Sequence, residues 1–178
     1  MRSFRTEGIV IKRKNFGEAD RILTVITKNR GKISVIAKGV RKISSRRSSH
    51  IELLNLSVFS CHDGRMPILT EVETLNHYSS LKSDLEKAGY AFYVCELVDG
   101  LLPEHQENRA VFNLLQQVFY DLEITPDPRK RIKRFEEELI ILLGFWPREQ
   151  MFLEDSVSFI EEIMEKKIKT KRIIPQIF

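Results

Sequence analysis

The 178 residues carry 29 Lys and Arg against 25 Asp and Glu, a formal net charge of +4, and 42% of them are hydrophobic. That apolar share supplies a core and excludes bulk disorder, and no apolar run approaches the ~18 residues that a membrane-spanning helix needs. The charge is placed unevenly: residues 1–50 hold 14 basic and 3 acidic side chains, a net of +11, while the remainder carries −7.

The first 75 or so residues alternate as strands do. Residues 4–12 read as a strand around Ile9, Val10 and Ile11, and residues 15–20, with their Asn, Gly and Asp, as a turn. The β-branched run 22–27 is a second strand, and Asn29, Arg30 and Gly31 close a hairpin into a third at 33–37. Leu54, Leu56 and Val58 alternate with polar residues in a fourth strand, which leaves the facing of Phe59 open; Asp63-Gly64 is a hairpin dipeptide, and 68–73 is a fifth strand. Five short antiparallel strands suit a small barrel of the OB or SH3-like kind.

Beyond Tyr78 the hydrophobic period changes from 2 to 3.6. Leu81, Leu85, Ala88, Phe92, Cys95 and Val98 mark one face of a long helix that Gly100 and Pro103 end. Val111 to Leu122 forms a second helix, and Asp127-Pro128 caps a third that runs to Gly144. A fourth is expected over 156–169, after a linker at 148–155. The expected organisation is α+β: a five-stranded antiparallel barrel at 1–76, then an α-helical bundle domain at 77–178.

Legible catalytic chemistry is absent. Neither a phosphate-cradling glycine loop nor a C-x-x-C or H-E-x-x-H pattern occurs. His62 stands between Cys61 and Asp63, but neighbours on a strand end point in opposite directions and form no relay. Glu136, Glu137 and Glu138 read as a solvated helix face. Cys61 and Cys95 read as small buried hydrophobes. No catalytic residue, cofactor or metal is expected. The start of the chain, Met1 to Glu7, has no apolar signal region, so the expected location is the cytoplasm, in association with the nucleoid.

What the sequence does offer is a polyanion footprint. The basic excess peaks at residues 38–47, where Lys38, Arg41, Lys42, Arg46 and Arg47 stand with Gly39, Ser44 and Ser45 between the third and fourth strands. Cations neutralise phosphates and release counterions, and hydroxyls hold register. Arg13 and Lys14 add to the same unit. Of the aromatics there, Phe4, Phe16 and Phe59, Phe16 in its turn is the best stacking candidate, with a hydrophobic plug as the equal alternative. A second basic cluster, Arg129, Lys130, Arg131 and Arg134, opens the third helix, where positive charge opposes the helix dipole. The plain alternative for each cluster is a solvated surface.

Taken in order, Gly8-Ile9-Val10-Ile11, Phe16-Gly17-Glu18-Ala19-Asp20-Arg21, Gly31, Ala37-Lys38-Gly39-Val40-Arg41-Lys42 and Ser45-Arg46 resemble the RecO family of bacterial DNA repair proteins. The helical half matches more loosely through Tyr93, Glu96-Leu97 and Leu142-Leu143-Gly144-Phe145-Trp146-Pro147, so the resemblance covers residues 1 to about 147. It implies an N-terminal OB-fold, a helical domain and no covalent chemistry. It further implies binding of single- and double-stranded DNA, annealing of complementary strands, and loading of RecA, together with RecR, onto DNA coated by single-stranded DNA-binding protein. The acidic C-terminal tail of that protein is then expected at Arg129, Lys130, Arg131 and Arg134. Many family members carry a four-cysteine zinc module after the L-G-x-x-P segment; no cysteine follows Cys95 here, so the expected member lacks zinc. On the residues alone two other readings stand beside this one: an RNA-binding or ribosome-associated OB module, and a structural adaptor whose charge is incidental. Phosphate contacts do not tell DNA from RNA.

Overall fold

The computed structural model describes residues 2–152 and 155–174, so residues 153 and 154 of the expected linker lie outside it. By contacts the chain divides into two compact units. One runs to His77 and also includes Pro103–Phe112; the other comprises Tyr78–Leu102 and the chain from Asn113 on.

In the first unit, strands β1 (Ser3–Phe16), β2 (Asp20–Thr27), β3 (Gly31–Ala37), β4 (Leu56–His62) and β5 (Ile68–Asn76) close into a barrel in the order β1-β2-β3-β5-β4. All neighbours are antiparallel except β3 and β5, which meet in parallel at Ile36 and Ile68. This is the order of an OB-fold. β1 is longer than the sequence suggests and serves two partners: Ser3 to Ile9 pair with β4, and Gly8 to Phe16 with β2. A bulge between Val10 and Lys12 bends it from one to the other, as closure requires. The bulge frees backbone groups that must find partners. Val10 N–H donates to Asn55 O (3.2 Å), and Leu54 N–H donates to Val10 O (2.8 Å). Leu54 is thereby held at φ 71 with its side chain buried, and β4 starts only at Leu56. The inward face of β4 is Ser57, Phe59 and Cys61, so Phe59 is core and Val58 is not fully buried. Val10, Leu23, Val25, Ile33, Val35 and Leu69 complete the packed interior around it.

Pro103–Phe112, which the sequence reading assigned to the helical domain, packs with the barrel. Glu104 bridges to Lys32 in parallel, His105 N–H donates to Lys32 O (2.9 Å), and Arg109 donates to Asn29 Oδ1 (3.2 Å). Gly31 lies beneath it at φ +68, and a Cβ there would stand 2.0 Å from Gln106 O. The position therefore needs glycine twice over, for conformation and for space.

The second unit is built around α2 (Leu85–Leu101), preceded by α1 (Ser79–Ser83) and followed by most of α3 (Arg109–Ile124), then α4 (Pro128–Leu142), α5 (Ser156–Met164) and α6 (Lys169–Ile173). The expected single helix from Leu81 is broken because Asp84 leaves the helix and caps α2, accepting from Lys87 N–H. α2 ends at Leu101, between Gly100 and Pro103, as expected. α4, α5 and α6 all pack on it, so its buried positions (Tyr90, Ala91, Tyr93, Val94, Cys95, Leu97, Val98) exceed one stripe. Leu85, by contrast, is 78% exposed. The expected last helix is two: Glu165 turns left-handed at φ 52 and ends α5, and Glu96 caps α6, accepting from Lys169 N–H (2.7 Å), Thr170 N–H (2.8 Å) and Thr170 Oγ1 (2.6 Å). Burial works to raise the Glu96 pKa, but these donors outweigh it and hold it below the usual range.

Glu136 corrects the reading of the acidic triplet as solvated. It is 4% exposed, and its two oxygens accept from Tyr93 OH (2.6 Å) and Ser156 Oγ (2.5 Å). Both cysteines are buried and free, and burial pushes the Cys61 thiol up to about 12.

Candidate nucleic-acid interface

The basic segment after β3 is braced at both ends. Gly39 turns the chain at φ +68, and its N–H donates to Asp20 Oδ1 (2.7 Å) at the start of β2. Val40 then drops into the barrel core. Arg41 N–H donates to Ala19 O (2.9 Å), and its guanidinium to Gly17 O (3.2 Å). Arg47 closes the far end: its guanidinium donates to Lys38 O (2.8 Å), Leu69 O (3.1 Å) and Thr70 O (3.4 Å). The F-G-E-A-D turn and the A-K-G-V-R segment are thus one hydrogen-bonded unit, although 19 positions separate Asp20 from Gly39.

Between these braces the loop is short of partners and rich in charge. Lys38, Lys42 and Arg46 are exposed and, among the described residues, have no carboxylate partner. With Glu18, Asp20, Ser44, Ser45 and Arg47 they line an open cleft of about 870 Å³. The five loop cations therefore divide by task. Arg41 and Arg47 hold backbone carbonyls, and Lys38, Lys42 and Arg46 present charge to solvent.

Of the two strand cations, Lys14 is exposed, while Arg13 lies against Glu52 at 2.5 Å, which also faces Arg21 at 3.8 Å. Phe16 is half exposed in the β1–β2 turn, whereas Phe4 is covered by the Arg30 guanidinium 3.7 Å from its ring centre, a cation–π contact.

The cluster on α4 does not share one face. Arg131 is 12% exposed and pairs with Asp121 (2.6 Å) and Glu138 (3.5 Å). Arg134, 75% exposed, pairs with Glu138 at 2.8 Å. These two border a groove of about 690 Å³ between α3 and α4, whose apolar lining is Leu114, Ile141 and Leu142. Arg129 lies on another side, where it hydrogen-bonds Tyr90 and lines a smaller slot of about 270 Å³ with Lys133, Glu136, Val157 and Lys171. Lys130 is exposed near the N-cap Asp127, which accepts from its N–H at 3.1 Å. The helical period explains the split, since residues 129 and 133 share a face and 131, 134 and 138 another. The buried Glu136 and the Asp121–Arg131–Glu138 ion pairs have no signature in a one-dimensional charge run.

Comparison with known proteins matches both units. The family model for the N-terminal part of recombination protein O matches residues 1–78, and that for its C-terminal part matches residues 82–150. Proteins named DNA repair protein RecO are similar along most of the chain. The one from Roseiflexus sp. (strain RS-1) is 36% identical over 148 residues, 83% of this chain and 52% of that protein. The one from Symbiobacterium thermophilum is 35% identical over 149 residues, 83% and 59% respectively. The one from Dehalococcoides mccartyi (strain ATCC BAA-2266) is 36% identical over 145 residues, 81% and 57%. The chain thus spans between half and three fifths of the length of these relatives. With an OB-ordered barrel, the two stitched motifs and both family models matched in sequence, this chain belongs to the RecO family.

Proposed function

We propose that this chain acts in DNA repair as a DNA-binding recombination mediator, holding strands through the braced basic loop of its barrel. The observation that carries the reading is the division of labour in that loop: two arginines fix its backbone, and three exposed cations, without carboxylate partners among the described residues, are left facing solvent. A loop ordered before it binds loses less entropy on binding, and cations on a fixed frame neutralise phosphates of either strand form. The finer reading follows the family. The chain binds single- and double-stranded DNA, anneals complementary strands and, with RecR, helps load RecA onto DNA coated by single-stranded DNA-binding protein. It works by binding and positioning, without covalent chemistry, in the cytoplasm.

For the acidic, apolar-ended tail of single-stranded DNA-binding protein, the α3–α4 groove offers an apolar floor with Arg134 at the rim. Arg129 and Lys130 belong to the neighbouring face and serve to steer the peptide.

Mixing two complementary DNA oligonucleotides with and without protein tests the reading. Accelerated annealing supports it. Binding without acceleration confines the chain to holding nucleic acid, and absence of binding at low salt refutes the interface.

A further inference from the structure

The loop cleft contains one polar atom whose situation differs from the rest. Among the described residues, Ser45 Oγ is the buried side-chain polar atom with no hydrogen-bond partner. Buried hydroxyls are nearly always paired, so each exception calls for a cause. Ser45 is also held in place: its N–H donates to Lys42 O (2.9 Å), and its carbonyl accepts from Ser48 Oγ (3.1 Å). The backbone bonds that position it are therefore made within the loop, and the hydroxyl is the group left over. The residue lines the same cleft as Lys38, Lys42 and Arg46, which Glu18 and Asp20 also border. Turned about its Cα–Cβ bond toward these cations, such a hydroxyl suits a tetrahedral oxyanion: the cations supply charge and the hydroxyl supplies one directed bond.

We propose that this cleft seats one phosphate group, with Ser45 Oγ donating to a phosphate oxygen and Lys38, Lys42 and Arg46 supplying the charge around it. The proposal rests on the reading of the loop as a nucleic-acid interface and adds a neutral, register-setting contact to it. The same chemistry is offered by a phosphodiester of a bound strand and by a free phosphate or diphosphate.

The experiment uses the full chain and three arms. In the first, Ser45→Ala is compared with wild type for binding of a fluorescent single-stranded oligonucleotide across a salt series. The expected result is affinity lowered about three- to tenfold, as for one lost neutral hydrogen bond, with the slope of log K against log salt unchanged because no charge is removed. The melting temperature should stay the same or rise. In the second arm, Lys42→Ala/Arg46→Ala should flatten the salt slope. In the third, pyrophosphate is titrated into labelled wild-type protein and should shift the Ser45 amide resonance. Unchanged oligonucleotide affinity in Ser45→Ala, with no pyrophosphate shift at Ser45, overturns the seat. If the double variant still flattens the slope in that case, the nucleic-acid reading stands; if it does not, both fall. A pyrophosphate shift that Ser45→Ala abolishes, with oligonucleotide affinity untouched, supports the seat and assigns it to a free phosphate.

Discussion

Replacing Lys38, Lys42 and Arg46 together by alanine separates charge from scaffold in the loop. If four to five phosphates of a single strand are neutralised, log K falls with log salt at a slope of roughly −3, about 0.7 per phosphate. Removing three cations leaves a slope of about −1. Between about 50 and about 200 mM salt, the wild type then loses affinity ~60-fold and the triple variant only ~4-fold. All three side chains are exposed and lack carboxylate partners among the described residues, so the melting temperature should not move. Arg47→Ala should behave in the opposite way. It deletes hydrogen bonds to the carbonyls of Lys38, Leu69 and Thr70, a loss on the order of 2 kcal/mol, or about 4–8 °C in melting temperature for a chain of this size. Its effect on the slope should stay below that of one phosphate. Fluorescence anisotropy with a labelled oligonucleotide across the salt series, paired with thermal melts, reads both quantities. A triple variant that keeps a slope near −3 refutes the assignment of the interface. An Arg47→Ala protein that melts normally and loses slope refutes the division of tasks.

Other expectations follow from the interior and the helical unit. Burial holds the Glu136 carboxyl above its usual pKa, against the lowering effect of the Ser156 and Tyr93 hydroxyls. Folding thus favours the protonated form, so this group's contribution is full below the ordinary carboxylate range and is lost as pH rises through its raised value. Glu136→Gln should remove that decline in a series of melts, whereas Glu136→Ala, which strands two buried hydroxyls, should cost about 1–3 kcal/mol at any pH. Gly31→Ala forces a Cβ to within 2.0 Å of Gln106 O at positive φ and should destabilise by about 3 kcal/mol or more, visible in denaturant titration. Arg134→Glu should weaken an acidic, aromatic-ended peptide about tenfold, ~1.4 kcal/mol, at a stability cost of only about 0.5–1 kcal/mol from the lost pair and new repulsion with Glu138; equal affinity would remove the α3–α4 groove from consideration. Arg131→Glu is unsuited to that test, since it sets a third carboxylate beside Asp121 and Glu138.

The strands were legible because the barrel's inner face alternates strictly where it is regular, as at Leu23 and Val25 in β2 and Ile33 and Val35 in β3. Legibility failed where tertiary partners override local pattern. Phe59 follows Val58 in a run of apolar residues, and only the register with β1 and β5 decides which of the two faces inward. Leu85 fits the heptad-like face of α2, yet Asp84 rotates the helix start and leaves it in solvent. Glu136 is chemically indistinguishable in the sequence from Glu137; what buries it is the arrival of Tyr93 and Ser156, 43 and 20 positions away. For the candidate interface, charge density singles out residues 38–47 as a basic segment but does not separate Arg41 and Arg47 from Lys38, Lys42 and Arg46. The role of Arg41 and Arg47 depends on carbonyls that carry no sequence signal.

The segment Pro103–Phe112 bears on how the barrel behaves when isolated. Among the described residues β3 pairs with β5 only at Ile36, and near Lys32 its outer side is occupied by Glu104 and His105. A fragment cut after His77 keeps all five strands and loses that cover. It then presents an open β edge, a template for strand addition between copies. Such a fragment is expected to self-associate, and any nucleic-acid affinity measured on it would mix loop chemistry with avidity from its aggregates. A covalently joined barrel that retains the later segment, through a short linker to residue 103, keeps the edge closed and is the form in which the loop is best studied alone.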